Sequence, residues 1–344
     1  MTTYQLLQVI WFALWGLLWA IYFGLDGFDL GSGMLAGLSR DKQERDTLIG
    51  TLAPIWDGNE VWVITAGGVT FAAFPKLYAV MFSTLYLPLI LILLGLVLRA
   101  VAIEFYHHMA YNPGWQNFWA KILSVASLVV ALLFGVAFGN IFAGLPFDAS
   151  GWKGNVILSL LTPYGILTGL LFVSAFVMNG FSWFAHKVAD DALRQKAMEN
   201  AKKMWIVTLI LGVLFYGLMP VMTPLMQNYK DLPVLFVVPL ISVAMLLLAR
   251  TSMGKGRPLA AMIYGSLTVF FAVITGVIGM FPNMLPSRLD PDLSLTAFNA
   301  SSSQYTLTFM LIVVLIFLPF VLLYQGWNLK LFGQGKTGSE AGHY

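Results

Sequence analysis

Between residues 4 and 329 the chain holds eight stretches of 18 residues or more without one Asp, Glu, Lys or Arg: 4–25, 77–98, 122–147, 154–185, 204–229, 232–249, 258–287 and 293–329. A helix needs about 20 mostly apolar residues to cross the hydrocarbon core of a bilayer, and a charge at its centre is costly. A ninth stretch, roughly 55–75, is apolar except for Asp57 and Glu60 at its start, and is read as the second helix. Only 10% of the 344 residues are charged, against about 25% in soluble domains. Such a surface could not be wetted. Soluble globular and disordered classes are excluded, and alternating β-barrel segments are absent. With no cysteine, a disulfide scaffold and a cysteine-ligated zinc or iron–sulfur site are excluded too. The net charge of +3 sits in short loops rather than on one patch, so no nucleic-acid role is expected.

The expected fold is all-α and polytopic, with nine transmembrane helices. The first charge is Asp26, so the amino terminus has no basic segment of the kind that opens a signal peptide. Threading nine helices leaves Lys76, Lys153, Lys230 and Arg288 on the side of the N-terminus, and the other 15 of the 19 Lys and Arg on the opposite side. By the positive-inside rule the N-terminus lies outside and the C-terminus in the cytoplasm. The connectors 38–54 and 187–202 are read as polar loops, and the tail 331–344 as polar and cytoplasmic.

A faint repeat subdivides the chain. Gly16–Leu30 and Gly169–Trp183 share six of fifteen positions, with Asp26 opposite Asn179 and Asp29 opposite Ser182. Val61–Thr65 and Met204–Thr208 echo each other more briefly. Two parallel four-helix units, 1–144 and 145–290, plus a ninth helix in 291–330 would account for this. A chance likeness between Gly/Leu/Phe-rich helices is the alternative reading.

The carboxylates are few. Asp26 and Asp29 are spaced i, i+3 on one face of the first helix, and Asp57 and Glu60 repeat that spacing on the second. Glu104 ends the third helix, with Arg99 before it. Ionisable groups in such apolar surroundings are functional candidates, and crowded, partly desolvated carboxylates can exchange protons near neutral pH. Asp57, Glu60, Asp29 and Asp26 are therefore candidates for the mouth of a proton path, against the alternative of a structural lock. Arg99 and Glu104 are read as a structural ion pair. None of His107, His108, His186 and His343 lies in mid-span, so heme or metal ligation by this chain is not expected. The run Gly27–Gly33 lacks a Walker lysine and, like Gly67 and Gly68, reads as close helix packing. Pro88, Pro239 and Pro319 lie within spans and are expected to kink them.

Several segments together carry a family resemblance: Gly24-Leu-Asp-Gly-Phe-Asp-Leu-Gly31, Pro54-Ile-Trp-Asp-Gly-Asn-Glu-Val-Trp62, Phe71-Ala-Ala-Phe-Pro-Lys-Leu-Tyr78 and Arg99-Ala-Val-Ala-Ile-Glu-Phe105. Thr162–Gly169, Phe281–Pro286, Asn299–Ser303 and the ninth helix through Tyr324 extend it along nearly the whole chain. The text resembles subunit II of the cytochrome bd-type quinol oxidases. That resemblance implies two four-helix bundles plus a peripheral helix, in a bacterial or archaeal cytoplasmic membrane. It implies a heme-binding partner, subunit I, which carries two b-type hemes and one d-type heme and oxidises quinol near the outer face. Dioxygen is reduced to water with protons from the cytoplasm, which contributes to the proton-motive force. Subunit II ligates no heme. Some members carry a bound quinone in it, or a small single-helix subunit beside it, and lipid surrounds the complex. By this matching Asp57 is the proton-entry acid, Asp29 and Glu60 are its neighbours, and Arg99 with Glu104 holds the site together. The rivals are a proton-coupled secondary transporter, whose carboxylates belong near the bilayer midplane, and a pure assembly scaffold.

Overall fold

The computed structural model describes residues 1–39, 41–108, 111–149 and 151–333, apart from the side chains of 328, 329 and 331–333. Arg40, Lys336, His343 and the tail from 334 onward lie outside the described residues. The described chain is almost entirely helical. Its elements are α1 Thr3–Ala36, α2 Lys42–Leu52, α3 Trp56–Ala73, α4 Pro75–Thr84, α5 Tyr86–His108 and α6 Pro113–Ala143. A hairpin of β1 (Phe147–Asp148) and β2 (Gly151–Trp152) follows. Then come α7 Val156–Leu160, α8 Pro163–Lys187, α9 Asp191–Met222, α10 Met226–Asp231, α11 Val237–Gly254 and α12 Pro258–Met280. A second antiparallel pair, β3 (Asn283–Leu285) and β4 (Leu295–Thr296), precedes α13 Gln304–Gly333.

Among the described residues eight helices are long and apolar enough to cross a membrane: α1, α5, α6, α8, α9, α11, α12 and α13. The pair α3–α4 makes a ninth candidate, bent by 117° where Phe74 meets Pro75. Proline stands at the first position of α4, where its missing N–H costs nothing but a helix running through from α3 would be broken.

Several sequence expectations need correction. Residues 77–84 belong to α4, so the third span runs from Tyr86 to His108 and encloses Arg99. The connector 38–54 contains α2, and most of 187–202 is the first part of α9. Both starts are capped by an aspartate: Asp41 accepts from the Gln43 N–H, and Asp190 from the Leu193 N–H. A search for charge-free text finds the membrane-crossing part of a helix and misses its charged extension. Pro88 falls in the first turn of α5, where proline removes no helical hydrogen bond, Pro239 follows a 3-10 turn, Pro233–Phe236, that runs into α11, and Pro319 is interior to α13.

The helix α1 is central. It packs on α2, α3, α6, α8, α12 and α13, while α8 also packs on α6, α9 and α12. The α1–α8 crossing is very close, because a Cβ at Gly31 would collide with the Phe176 carbonyl and one at Gly180 would meet the Gly31 and Ser32 backbone. Gly27 likewise faces the Phe176 ring. Gly67 and Gly68 differ: a Cβ on either meets nothing among the described residues within 4 Å, so the expected close packing is absent there among them.

At the N-terminal end of α1, the loop around 281–303 closes over the helices. Leu145 N–H donates to the Pro286 carbonyl (2.8 Å), Arg288 N–H donates to the Leu145 carbonyl (3.0 Å), and Gln8 Nε2 donates to Ser301 Oγ (2.7 Å). At the other end α2 buries Leu48, Ile49 and Leu52. Ile49 and Leu52 meet Ala102, Ile103 and Tyr106 of α5 and Leu123 of α6. Polar contacts add to this: Arg45 Nε donates to Tyr106 Oη (3.2 Å), the Tyr106 hydroxyl donates to Asp46, and Lys196 of α9 pairs with Glu44 (3.1 Å).

Candidate functional site

The site lies between α1, α3 and α5. Asp26 and Asp29 sit on one face of α1, more than one turn before its end, and both are fully buried. The helix α3 begins beside them and supplies Asn59 and Glu60 from its first turns. Arg99 reaches in from α5 and is itself fully buried. Its guanidinium pairs with Asp26 (Nη2 to Oδ1, 3.2 Å) and with Glu60 (Nη1 to Oε1, 2.6 Å). Asn59 Nδ2 donates to Asp29 Oδ2 at 2.5 Å. Gln325 of α13 closes the group from outside, donating from Nε2 to the Gly58 carbonyl (3.2 Å) and to Asn59 Oδ1 (3.5 Å). Tyr22, one turn before Asp26, is fully buried.

Of the residues named from sequence, Asp26, Asp29, Glu60 and Arg99 come together. Asp57 lies one turn before Glu60 on α3 and is exposed. Glu104 does not join. It is exposed on α5, and its backbone carbonyl contacts His108 Nδ1 at 2.9 Å. The expected Arg99–Glu104 pair is therefore replaced by Arg99–Asp26 and Arg99–Glu60. Five residues at about 100° each put Arg99 and Glu104 roughly 140° apart around α5, on different faces. Asn59, Gln325 and Tyr22 join the site without being among the sequence candidates. Asn59 and Tyr22 carried a signal, being polar groups beside or one turn from an intramembrane carboxylate. Gln325 carried a weaker one: it ends an unbroken apolar run from Phe309 to Tyr324.

The site is graded. Asp57 is exposed, the Glu60 side chain is 14% exposed, and Asp26 and Asp29 are at 0%. Of the three enclosed carboxylates, Asp26 and Glu60 pair with one guanidinium, while Asp29 accepts from Asn59. The positions on α8 that align with Asp26 and Asp29 are Asn179 and Ser182, both fully buried and neutral. His107, His108 and His186 lie in the last turns of α5 and α8.

Fold and site thus define a class: a polytopic helical membrane protein with a charged cluster enclosed in its apolar interior. The family model for cytochrome bd terminal oxidase subunit II matches residues 7–332. The chain is 35% identical to a probable cytochrome oxidase subunit 2 of Haemophilus influenzae and 33% identical to the cytochrome bd-I ubiquinol oxidase subunit 2 of Escherichia coli K12, in each case over 97% of this chain and 96% of the relative. It is 32% identical to the cytochrome bd ubiquinol oxidase subunit 2 of Bacillus subtilis, over 97% of this chain and 98% of the relative. In fold it is similar to a chain of the bd oxidase of Geobacillus thermodenitrificans, with a TM-score of 0.76 at 17% identity, covering 95% of this chain and 98% of that one. The chain belongs to the cytochrome bd terminal oxidase subunit II family, and is thus a membrane subunit of a respiratory oxidase.

Proposed function

We propose that this chain completes a quinol:dioxygen oxidoreductase around a heme-bearing subunit I and delivers protons to it from the cytoplasm. One observation carries the reading: a file of carboxylates that runs from exposed Asp57 through largely buried Glu60 to fully buried Asp26 and Asp29. An acid at the surface can collect a proton. An acid one turn further along the same helix face can receive it. Among the described residues Arg99 is the one cation of this group and pairs with Asp26 and Glu60, so the group carries more negative than positive side chains and has capacity for protons. Arg99 fixes the relative positions of Asp26 and Glu60 and holds its own charge throughout. The partner's b- and d-type hemes supply the electron transfer and oxygen chemistry.

In this reading the α2 end of the molecule faces the cytoplasm, because most Lys and Arg collect there. The spans number nine, with α3–α4 as the second. They divide into a first unit of α1, α3–α4, α5 and α6, a second of α8, α9, α11 and α12, and a peripheral α13. The family assignment removes the ground for a transporter, which rested on the repeat and on intramembrane carboxylates alone.

The test is Asp57→Asn in the purified complex. Oxygen reduction is expected to slow severalfold while the reduced-minus-oxidised heme spectrum stays unchanged. Wild-type turnover with intact hemes would remove Asp57 from the path.

A further inference from the structure

We propose that Asn59 and Gln325 are positioning residues for Asp29: they dictate which of its oxygens takes the proton, and they tie that carboxyl to α13. The inference rests on the proton-uptake reading above. A carbonyl oxygen only accepts, so the atom of Gln325 that faces the Gly58 carbonyl is the amide nitrogen. The same nitrogen faces Asn59, which must answer with an acceptor, Oδ1. That turns the Asn59 nitrogen toward α1, where it donates to Asp29 Oδ2. Polarity therefore runs one way, from α13 through α3 to α1. Flipping either amide would set donor against donor or acceptor against acceptor.

Asp29 Oδ2 thus remains an acceptor whether the carboxyl is charged or neutral. The proton goes on Oδ1, which is buried and has no hydrogen-bond partner among the described residues. The charged and titratable groups acting on Asp29 are Asp26 on its own helix, Glu60 on α3 and Arg99 on α5. Asp57 of α3 is exposed. The helix α8 faces α1 with neutral Asn179 and Ser182, and carries His186 and Lys187 in its last turn. The acids of α2 are engaged elsewhere, Glu44 by Lys196 and Asp46 by Lys42 and Tyr106. The helix α13 brings an amide, and most of its large apolar side chains are exposed on this chain. Gln325 is its polar hook on the site.

Infrared difference spectra of the purified holo complex, recorded as pH is stepped, test this. The C=O stretch of Asp29 is the band lost in Asp29→Asn. In Asn59→Leu that band is expected to move to higher frequency, because Oδ2 loses its amide donor. Its pH midpoint is expected to move by roughly one unit, the scale of one hydrogen bond to a charged group. Gln325→Met, a milder change on a peripheral helix, is expected to produce a smaller shift of the same sign, and serves if Asn59→Leu does not assemble. An unchanged heme spectrum verifies assembly. A band unmoved in frequency and midpoint in the assembled variants overturns the proposal, as does an Asp29→Asn spectrum that lacks no band. Turnover is read separately. If Asp29→Asn reduces oxygen at the wild-type rate while the band shifts occur, the positioning stands and the role of Asp29 in proton uptake falls.

Discussion

Arg99 is enclosed completely, and its guanidinium spans carboxylates from two other helices. Replacing it with Met keeps much of its bulk but strands Asp26 and Glu60 without a counter-charge. Removing one partner of a buried ion pair typically costs about 3–5 kcal/mol. Arg99→Met is therefore expected to lower the melting temperature and the yield of assembled complex, and adding Glu60→Gln is expected to recover part of the loss. Glu104→Gln touches an exposed side chain, and its effect is expected within about 0.5 kcal/mol. Thermal unfolding of the three variants checks the contrast, and equal losses for Arg99→Met and Glu104→Gln would contradict it. The carboxylates and the arginine were legible in the sequence, because an ionisable residue in apolar text stands out. Their pairing was not. Sequence proximity favoured Glu104, and only helix phase and the docking of α3 beside α1 select Asp26 and Glu60.

At the scale of elements, α2 shows how the end of the bundle next to the site is closed. Its charged residues hid it from a search for apolar runs, yet Leu48, Ile49 and Leu52 follow the spacing of one helix face. Two kinds of contact hold it: that apolar face and a set of polar links, of which Lys196–Glu44 reaches across to α9. The first should dominate. Ile49 is fully buried, and Ile→Ala at such a site typically costs about 2–5 kcal/mol. The Lys196 side chain is 59% exposed, and an exposed pair contributes about 1 kcal/mol or less. Ile49→Ala is accordingly expected to expose the α2 segment to limited proteolysis in the assembled complex, whereas Lys196→Ala leaves the cleavage rate close to wild type. The reverse order would make the polar links the main fastening. The bend between α3 and α4 belongs to this scale too. The sequence reading puts a turn here, ending one span at 75 and starting the next at 77, whereas the structure adds Pro75–Thr84 to the bent second span and starts the third at Tyr86.

At the scale of the molecule, α1 packs closely on α8, the helix whose sequence faintly echoes its own. The sequence alignment pairs Asp26 with Asn179 and Asp29 with Ser182, so a carboxylate pair on one helix has a neutral counterpart on its neighbour. Keeping charge on one side only concentrates the titratable groups in the α1–α3–α5 site. The two helices can approach this closely because glycine removes the Cβ from each at the crossing. At Gly31 a methyl group would overlap the backbone of Phe176, an atom group that cannot rotate away. Gly31→Ala should therefore separate α1 from α8 and move Asp29, two residues away, with it. Overpacking typically costs about 1–3 kcal/mol where side chains can yield, and a backbone clash lies at or above the top of that range. Among the described residues, nothing lies within 4 Å of a would-be Cβ at Gly212 of α9. Alanine there gains helix propensity of about 1 kcal/mol without a clash. The expected outcome is loss of the heme-containing complex for Gly31→Ala, and unchanged or slightly raised thermal stability for Gly212→Ala, both read from the visible spectrum of the purified complex during heating. A fully assembled Gly31→Ala complex with wild-type stability would mean that the α1–α8 crossing has slack, and that the fixed placement of Asp29 must come from α3 and α13 instead.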